Sequence, residues 1–425
     1  IVTEGDASFG LGILADDSTN AAITLSATDI STMGELSRGI FILADNSVNP
    51  AIDLSTTTIS TAGDDSRGVF IRVDDSTNAA INLADTAITT AGDDASGMGI
   101  ILRDSTNAAV TLSATTITTA GESAEGIFIN ACGSTDAEIH LADTAITTAG
   151  EWAEGIYIAA DDSTNAAINL ADTAITTAGD VAEGIYIDAE DSTNAAINLA
   201  DTAISTAGEY AEGIYIDAEG STNAAITLAE AEIGTTGSPS HGIYILADNS
   251  NDIAIDLAET DIVTTGYGAQ GIAIEADGID CSGNVAIDLA AINVYTAGNY
   301  ADGIGVLFSD AANAAIYVAD TDITTLGDAA QGIVIYAENA SNTAIDLTDT
   351  EITTEGAAGA YGLNIFANNS MANTIENNIF TINGPNSWGM YIGNGTGSFN
   401  QAALEANNTF TIQEASSGEV HIYNP

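Results

Sequence analysis

The sequence contains no lysine, and its four arginines all lie in the first quarter of the chain. In 425 residues there are 61 Asp and Glu, which gives a formal charge of -57 at pH 7. Nucleic acids and anionic membrane surfaces are bound through basic patches, so this balance argues against both as partners. However, 45% of the residues are hydrophobic. Acidic disordered chains lack that apolar content, so this chain is expected to fold.

Long apolar runs and cysteines are also scarce. No run of 18 apolar residues occurs, so no transmembrane helix is expected. The two cysteines, Cys132 and Cys281, are too few for a disulfide framework. Stable folding therefore has to come from another source.

That source is a 29-residue repeat. Its marker, I-x-T-x-G, returns every 29 residues with a single interval of 32, and two looser copies follow around Phe380 and Phe410. Each repeat holds three short stretches with alternating side chains, separated by Gly, Asp, Ser and Asn. We therefore predict an all-β parallel β-helix, or β-solenoid, with three short strands per coil and about 14–15 coils. The marker glycines are Gly5, Gly34, Gly63, Gly92, Gly121, Gly150, Gly179, Gly208, Gly237, Gly266, Gly298, Gly327 and Gly356.

Residues 1–356 are predicted to form the regular solenoid. Residues 357–425 are predicted to form degenerate, Asn-rich terminal coils of the same continuous domain. Within the regular part, columns of Ile, Leu and Thr recur at fixed positions, and we expect them to face a dry interior. A further column of ten Asn and two Asp predicts an asparagine ladder at a sharp corner.

The string I-T-T-x-G-x-x-A-x-G-I-Y, as in Ile146 to Tyr157 and Ile175 to Tyr186, resembles the repeats of bacterial autotransporter passenger domains. Those domains are right-handed parallel β-helices on the cell surface. The resemblance covers roughly Ile1 to Gly362. It implies adhesion or a structural role, because no insertion here is long enough to carry a grafted activity.

One outward column of the second strand is aromatic over five successive coils. Such a column could stack to stabilise the sheet face, contact another protein subunit, or bind sugar rings. The column consists of Phe128, Tyr157, Tyr186, Tyr215 and Tyr244, and Phe41 and Phe70 extend it toward the start.

Two acidic columns next to the marker glycine are the best candidates for a cation site. Carboxylates repeated about 4.8 Å apart repel one another, and solvation, raised pKa values, salt screening or bound cations such as Ca²⁺ could relieve the repulsion. No cofactor is expected to be required. The candidate cation ligands are Glu122, Glu125, Glu151, Glu154, Asp180, Glu183, Glu209 and Glu212.

The second of these columns changes sign along the chain, because other coils place Arg38, Arg67, His241 or Gln270 there. Local pairing of the arginines with Asp or Glu is the simplest expectation. A staggered attraction between molecules is the alternative.

Cys132 and Cys281 fall in nearly the same turn, five coils and about 24 Å apart. They cannot pair with each other, so they are either free or intermolecular thiols. Possible N-glycosylation sequons lie at Asn339, Asn368, Asn394 and Asn407.

No nucleophile elbow, phosphate-binding loop, zinc spacing or dinucleotide motif occurs, and the three histidines share no motif. We therefore expect no enzyme activity. The main hypothesis is an extracellular structural protein that associates with itself in a surface filament, sheath or matrix. The alternative is an autotransporter-like adhesin on the cell surface that binds surface glycans or other cells. A polysaccharide-active β-helix enzyme is the third reading.

Overall fold

The computed structural model describes residues 1–276, 284–309, 314–338, 343–357, 359–367, 371–394, 399–414 and 416–423. It is an all-β parallel β-solenoid of about 13 turns, with about 29 residues per coil and 2% helix, and it confirms the predicted fold class. The chain forms two compact units, Ile1–Asp217 and Ala218–Pro425. The predicted change to degenerate coils at residue 357 stays a prediction.

The first unit consists of short strands, numbered in chain order. They are β1 (Val2–Thr3), β2 (Phe9–Leu14), β3 (Ala22–Thr32), β4 (Arg38–Leu43), β5 (Ala51–Thr61), β6 (Val69–Arg72), β7 (Ala80–Ala84), β8 (Ala87–Thr90), β9 (Met98–Ile101), β10 (Ala109–Ser113), β11 (Thr116–Thr119), β12 (Ile127–Asn130), β13 (Glu138–Ala142), β14 (Ala145–Thr148), β15 (Ile156–Ala159), β16 (Ala167–Ala171), β17 (Ala174–Thr177), β18 (Ile185–Asp188), β19 (Ala196–Ala200), β20 (Ala203–Thr206) and β21 (Ile214–Asp217).

The second unit continues the same succession of short strands and adds one helix. Its elements are β22 (Ala225–Ala229), β23 (Glu232–Thr235), β24 (Ile243–Leu246), β25 (Ile253–Ala258), β26 (Asp261–Thr264), β27 (Ile272–Ala276), β28 (Val285–Ala290), β29 (Asn293–Thr296), β30 (Ile304–Ser309), β31 (Ala314–Ala319), β32 (Asp322–Thr325), β33 (Ile333–Glu338), β34 (Thr343–Thr348), β35 (Glu351–Thr354), β36 (Leu363–Ala367), β37 (Met371–Glu376), β38 (Ile379–Ile382), β39 (Trp388–Asn394), α1 (Gln401–Asn407), β40 (Thr409–Ile412) and β41 (Gly418–Tyr423).

Three strands per coil build two parallel sheets, as predicted. A typical coil places β16 and β17 in the first sheet and β18 in the second. In the coils of β3 and β5, the two strands of the first sheet merge into one strand of 11 residues. The two looser repeats after Gly356 add β39 and β41 to the second sheet.

Each strand pairs with its own copy one repeat away. Ile168 pairs with Ile197, and Leu170 with Leu199, in a parallel register. These side chains are buried at 1% exposure, so they form the stacked apolar interior that the columns predicted. Burial of a whole Ile or Leu side chain is worth about 1.5–3 kcal/mol, and it recurs along these columns, as at Ile81, Ile139 and Ile226.

The threonine column closes the corner between the two sheets. Thr177 Oγ1 donates a hydrogen bond to the Ala182 carbonyl over 2.7 Å. Thr206 makes the same bond to Ala211, and Thr148 to Ala153. In these coils the hydroxyl satisfies a buried carbonyl that water cannot reach, whereas the hydroxyl oxygens of Thr32, Thr90 and Thr119 in the same column are buried without a hydrogen-bond partner.

A serine ladder, which the sequence reasoning missed, holds another turn. The Ser163 peptide nitrogen donates to Ser192 Oγ over 3.2 Å. Ser163 Oγ in turn donates to the Ala131 carbonyl over 2.9 Å. Each hydroxyl therefore accepts one hydrogen bond and donates another between coils. The ladder thus supplies partners for buried peptide nitrogens and carbonyls of the turn.

The predicted asparagine ladder is present at a left-handed corner. Asn165 has φ 55°, and its Nδ2 donates to Asp136 Oδ1 over 2.8 Å. Asn194 continues the ladder by donating to Asn165 over 2.9 Å. Asn tolerates this backbone conformation, and its amide can both donate and accept.

The glycine before the strand of the second sheet allows the coils to approach closely. A Cβ on Gly155 would collide with Ile175 Cγ2 and would lie 2.5 Å from the Gly184 carbonyl oxygen. Only glycine fits at this distance, which explains the glycine directly before β15. Among the residues described, no helix has the length and apolarity needed to cross a membrane.

Candidate functional site

The second sheet of the first unit carries a continuous stack of aromatic rings. We call Phe128, Tyr157, Tyr186 and Tyr215 the aromatic strip. Their ring centroids are 5.5, 4.9 and 4.8 Å apart in succession, with interplanar angles of 9°, 8° and 2°. Because the register aligns each ring with the next, the strip is a direct product of the repeat.

Strand alternation exposes these rings. Ile185 and Ile187 on either side of Tyr186 are buried at 0%, whereas Tyr186 itself is half-buried. Neighbouring side chains therefore point in opposite directions, Ile to the core and Tyr outward. The flat stack stabilises the sheet face and at the same time presents a polarisable surface to solvent.

A glutamate column borders the strip on the side where each strand begins. Burial raises the pKa of the Glu154 carboxyl to about 8, and the carboxylates of Glu183 and Glu125 add to the shift. Burial and the neighbouring Glu183 raise the pKa of Glu212 to about 7. Glu183, 8% exposed, also has a raised pKa because of its burial, and it hydrogen bonds with Glu212.

Proton sharing therefore relieves the repulsion within this column. A protonated Glu212 can donate its hydrogen bond to Glu183, so neighbouring carboxyls need not both be charged. At the end of the column, Ser96 Oγ donates to Glu125 Oε2 over 2.5 Å.

Aspartates border the strip on the opposite side. Asp188 and Asp217 pair in register, directly after the rings of Tyr186 and Tyr215. Burial and a hydrogen bond with Asp161 raise the pKa of Asp188 to about 7. Sequence reasoning missed this border, although the Tyr-x-Asp spacing places ring and carboxyl on the same face of the strand.

The carboxyls on both sides of the strip affect the pKa of the tyrosine hydroxyls. Burial raises the pKa of the Tyr215 hydroxyl, and the nearby carboxyls of Asp217 and Glu212 raise it further. Tyr157 is affected in the same way by burial and then by Asp188 and Asp161. The strip thus has a row of glutamates along one edge and two aspartates, Asp188 and Asp217, along part of the other, where the earlier coils hold Asn130 and Ala159.

In the first coils the ring column holds Phe41 and Phe70, which stack at 5.9 Å. Phe9, which pairs in register with Arg38, stacks on Phe41 at 4.9 Å. The Arg38 guanidinium lies 5.1 Å from the centroid of Phe41 and 4.7 Å from that of Phe70. Arg67 lies 5.0 Å from the Phe70 centroid.

These two arginines correct an expectation from the sequence. The described ion pairs of arginine belong to Arg72 and Arg103, which contact Asp74 at 3.0 and 3.1 Å. Arg38 and Arg67 instead lie over rings. The strand alternation places Phe side chains next to them, and a guanidinium can stack on a ring face without giving up all its water.

In the second unit, His241 and Asp302 occupy the position that the glutamates hold in the first unit. Tyr244, the last predicted member of the aromatic stripe, stacks with His241 at 5.6 Å. Burial lowers the pKa of His241 to about 4, so its Nδ1 accepts from the Gln270 peptide nitrogen over 3.0 Å. Burial raises the pKa of Asp302 to about 6.

The two columns proposed to bind cations differ in their surroundings. Glu122, Glu151, Asp180 and Glu209 are exposed, and Asp180 Oδ1 accepts a hydrogen bond from the Glu209 peptide nitrogen over 2.9 Å. Glu125, Glu154, Glu183 and Glu212 form the more buried border of the strip. A cation at either column stays a prediction.

The remaining predicted residues are only partly described. Cys132 is half-buried and its Sγ lies 3.7 Å from Asp161 Oδ2; burial, together with Asp161, raises the thiol pKa to about 11. Asn407 is exposed in α1 and Asn394 ends β39. Cys281, Asn339 and Asn368 lie outside the described residues.

No family model and no curated protein sequence matches the chain. Among solved structures it is similar to the cryo-EM structure of the Vag8–C1 inhibitor complex, with a TM-score of 0.43, 14% identity, and 96% of this chain and 99% of that chain covered. Vag8 is an autotransporter passenger domain, and the parallel β-solenoid fits the resemblance drawn from the sequence.

Two further similar structures are alginate-modifying enzymes. The periplasmic alginate epimerase AlgG has a TM-score of 0.33 and 11% identity, over 93% of this chain and 77% of that chain. The A-module of the mannuronan C-5 epimerase AlgE6 of Azotobacter vinelandii has a TM-score of 0.33 and 13% identity, over 84% and 91%. At these identities the likeness concerns the fold alone.

The prediction that the protein is not an enzyme is contradicted by these neighbours, because enzymes share the β-helix fold. Sequence motifs were a poor basis for that exclusion. A catalytic site on a solenoid is assembled from side chains on adjacent coils, and such a set needs no fixed motif in the sequence.

Proposed function

We propose that the protein is an adhesin-like binding protein of the cell surface or envelope, and that the aromatic strip is its ligand-contact surface. One observation carries the proposal: four stacked, half-buried rings follow one another at 4.8–5.5 Å, with a row of glutamates on one side and Asp188 and Asp217 on the other. A surface of this kind offers stacking faces and hydrogen-bond acceptors over several coils. The autotransporter resemblance supports an external location.

Repetition suits the strip to adhesion. Each of its four coils contributes an aromatic ring and a glutamate, so a ligand with several equivalent groups can engage several coils at once. Once one contact has formed, the effective concentration of the next group is high, so several weak contacts together give a lasting attachment.

Bead attachment tests the proposal directly. Beads coated with the protein should attach to bacterial or epithelial cell layers, and Tyr157→Ser with Tyr186→Ser should remove most of that attachment. Tyr210→Ser is the matched control, because Tyr210 is a 56% exposed tyrosine outside the strip. Equal attachment by all three proteins would reject the strip as the contact surface.

Self-association is a second candidate, and exposed apolar side chains favour it. Val2 and Leu14 are 69% and 72% exposed, and Ile1 and Phe9 are also exposed. Apolar side chains next to strand backbone are suited to pairing with another copy of the chain. This is the filament, sheath or matrix subunit that the sequence predicted.

Electron microscopy and sedimentation test this candidate. Filaments or sheets should form at high protein concentration, and Val2→Asp with Leu14→Asp should abolish them. Val263→Asp is the control, since Val263 is 44% exposed but lies in the second unit. Loss of assembly on adding a calcium chelator would assign the acidic columns to cation bridging, whereas single particles under all conditions would reject self-association.

A further inference from the structure

The first unit uses one column position for opposite charges. Arg38 and Arg67 stand at the position that Glu125 and its three successors occupy further along the chain, because all are multiples of 29 residues apart. The ring column beside them is the same as well: Phe41 and Phe70 precede Phe128 in register, with Gly99 between them. Coils with arginine and coils with glutamate at this position can therefore be compared within one chain.

Where the position holds arginine, the chain covers its own rings. Arg38 lies 5.9, 5.1 and 4.7 Å from the centroids of Phe9, Phe41 and Phe70. The gap at Gly99 is filled in part by Arg67, whose Cδ would lie 3.4 Å from a Cβ at that position. A guanidinium is thus the group that this ring column accepts within the same protein.

Where the position holds glutamate, ring faces and carboxyls occur together. We infer that the aromatic strip binds arginine side chains of a partner polypeptide, which take the place over the rings that Arg38 and Arg67 take in the first coils. The inference rests on the proposed function and names the ligand of that surface. The partner is a segment carrying several arginines.

The chemistry favours guanidinium over other cations. Its planar face stacks on tyrosine, and its N–H groups form paired hydrogen bonds with a carboxylate. The strip supplies both groups, with rings in the middle and carboxyls of Glu154, Glu183, Asp188 and Asp217 along the edges. An ammonium group can lie over a ring or donate to a carboxylate, but it lacks both the planar face that stacks and the fork that forms paired hydrogen bonds.

Charge supports the same ligand. The formal charge of -57, with no Lys or Arg after Arg103, attracts a basic segment. It also repels acidic polysaccharides, which would meet carboxyls on both sides of the rings. No Lys or Arg side chain beyond Arg103 is available from this sequence to cover the strip.

Fluorescence anisotropy with a labelled (Arg-Gly)3 peptide tests the inference on the full-length protein at 150 mM salt. The matched peptides are (Lys-Gly)3 and the neutral (citrulline-Gly)3. We expect the arginine peptide to bind at least fivefold more tightly than the lysine peptide, and the citrulline peptide to show no binding.

Variants locate the contact. Tyr157→Ala with Tyr186→Ala, and separately Glu154→Gln with Glu183→Gln, should each raise the Kd at least tenfold. Glu151→Gln with Asp180→Asn removes the same number of carboxyls from the exposed neighbouring column and should change the Kd less than twofold. If both charge-removing pairs weaken binding equally, only general attraction of a polycation is involved and the inference fails.

A gain-of-function variant separates binding from misfolding. Arg38→Glu with Arg67→Glu should uncover the first ring column and add a second binding site for the arginine peptide. Unchanged stoichiometry in a folded variant would overturn the inference.

Bead attachment keeps the two proposals distinguishable. If strip variants abolish attachment while the arginine peptide does not bind, the strip still works as a contact surface but for another ligand. If strip variants affect neither assay, both proposals fail.

Discussion

The guanidinium carbon of Arg38 lies 4.7 Å from the centroid of the Phe70 ring, one repeat further along the chain. Burial and the neighbouring Arg67 lower the pKa of Arg38, so the chain holds this charge in place at some electrostatic cost. The ring stack offsets that cost. Beyond Gly99 the same column holds rings again in the aromatic strip, where glutamates replace the arginines.

A double-mutant cycle should detect the contact between Arg38 and Phe70. Arg38→Gln and Phe70→Leu are expected to show a coupling of roughly 0.5–2 kcal/mol, as for a partly desolvated cation–π pair. Chemical unfolding of the four proteins measures it. The control cycle combines Arg103→Gln with Phe70→Leu. Arg103 pairs with Asp74 instead, so this cycle should show no coupling. Equal coupling in the two cycles would contradict the stacking.

Thermal stability should fall as pH rises from about 4.5 to about 8. The pKa of Glu154 is about 8 and that of Glu212 about 7 in the folded protein, both above the usual value of about 4.3 for an unfolded Glu. The native state therefore binds more protons in this window. Its stabilisation is fully present below the unfolded pKa and is lost as pH passes the folded values.

Glutamine variants test whether the more buried glutamate column causes that pH dependence. Replacing Glu154, Glu183 and Glu212 by Gln should flatten the decline of the melting temperature between pH 5 and 8.5. Replacing the exposed Glu122, Glu151 and Glu209 removes the same charge and should leave more of the slope intact. If the two triple variants have the same slope, general repulsion across the acidic surface causes the decline.

The threonine corner should be sensitive to loss of a hydroxyl. Thr177→Val keeps the shape of the side chain but leaves the Ala182 carbonyl without the bond that Thr177 Oγ1 donates over 2.7 Å. We expect a loss of about 1–3 kcal/mol from the free energy of unfolding. Thr177→Ser should recover part of the loss, and Thr176→Val, at an exposed position, should have little effect. A neutral Thr177→Val would show that the bond is dispensable.

Cys132 should react slowly with thiol reagents. Its raised pKa of about 11 leaves little thiolate at pH 7.5, and thiolate is the reactive form. In a Cys281→Ser background, alkylation should be at least tenfold slower than that of a free thiol such as glutathione. Asp161→Asn removes a neighbouring negative charge and should speed the reaction; no acceleration would argue against that contact.

Much of the fold could be predicted from the sequence because a solenoid stacks each residue on its own copy. The 29-residue interval alone placed Ile168 beside Ile197 and Tyr157 beside Tyr186, and both pairings are present. The asparagine ladder followed from the same reasoning, since an amide repeated at a corner can bond only to its neighbours along the column.

Periodicity did not give the relations between different columns. Whether Glu154 leans toward Glu151 or toward Glu183, and whether Arg38 meets a carboxylate or a ring, depends on the turn that joins one column to the next. Asp188 was missed for that reason, because its partner Asp161 belongs to another column.

The sequence by itself therefore determined the class of fold, the register and the membership of each column, because those properties depend on a single repeat length. Only the tertiary structure decided which columns are half-buried and which face one another, because burial depends on how corners and strands fold around the interior. That difference makes the row of glutamates from Glu125 to Glu212 the border of an aromatic surface, while a cation at these residues stays a prediction.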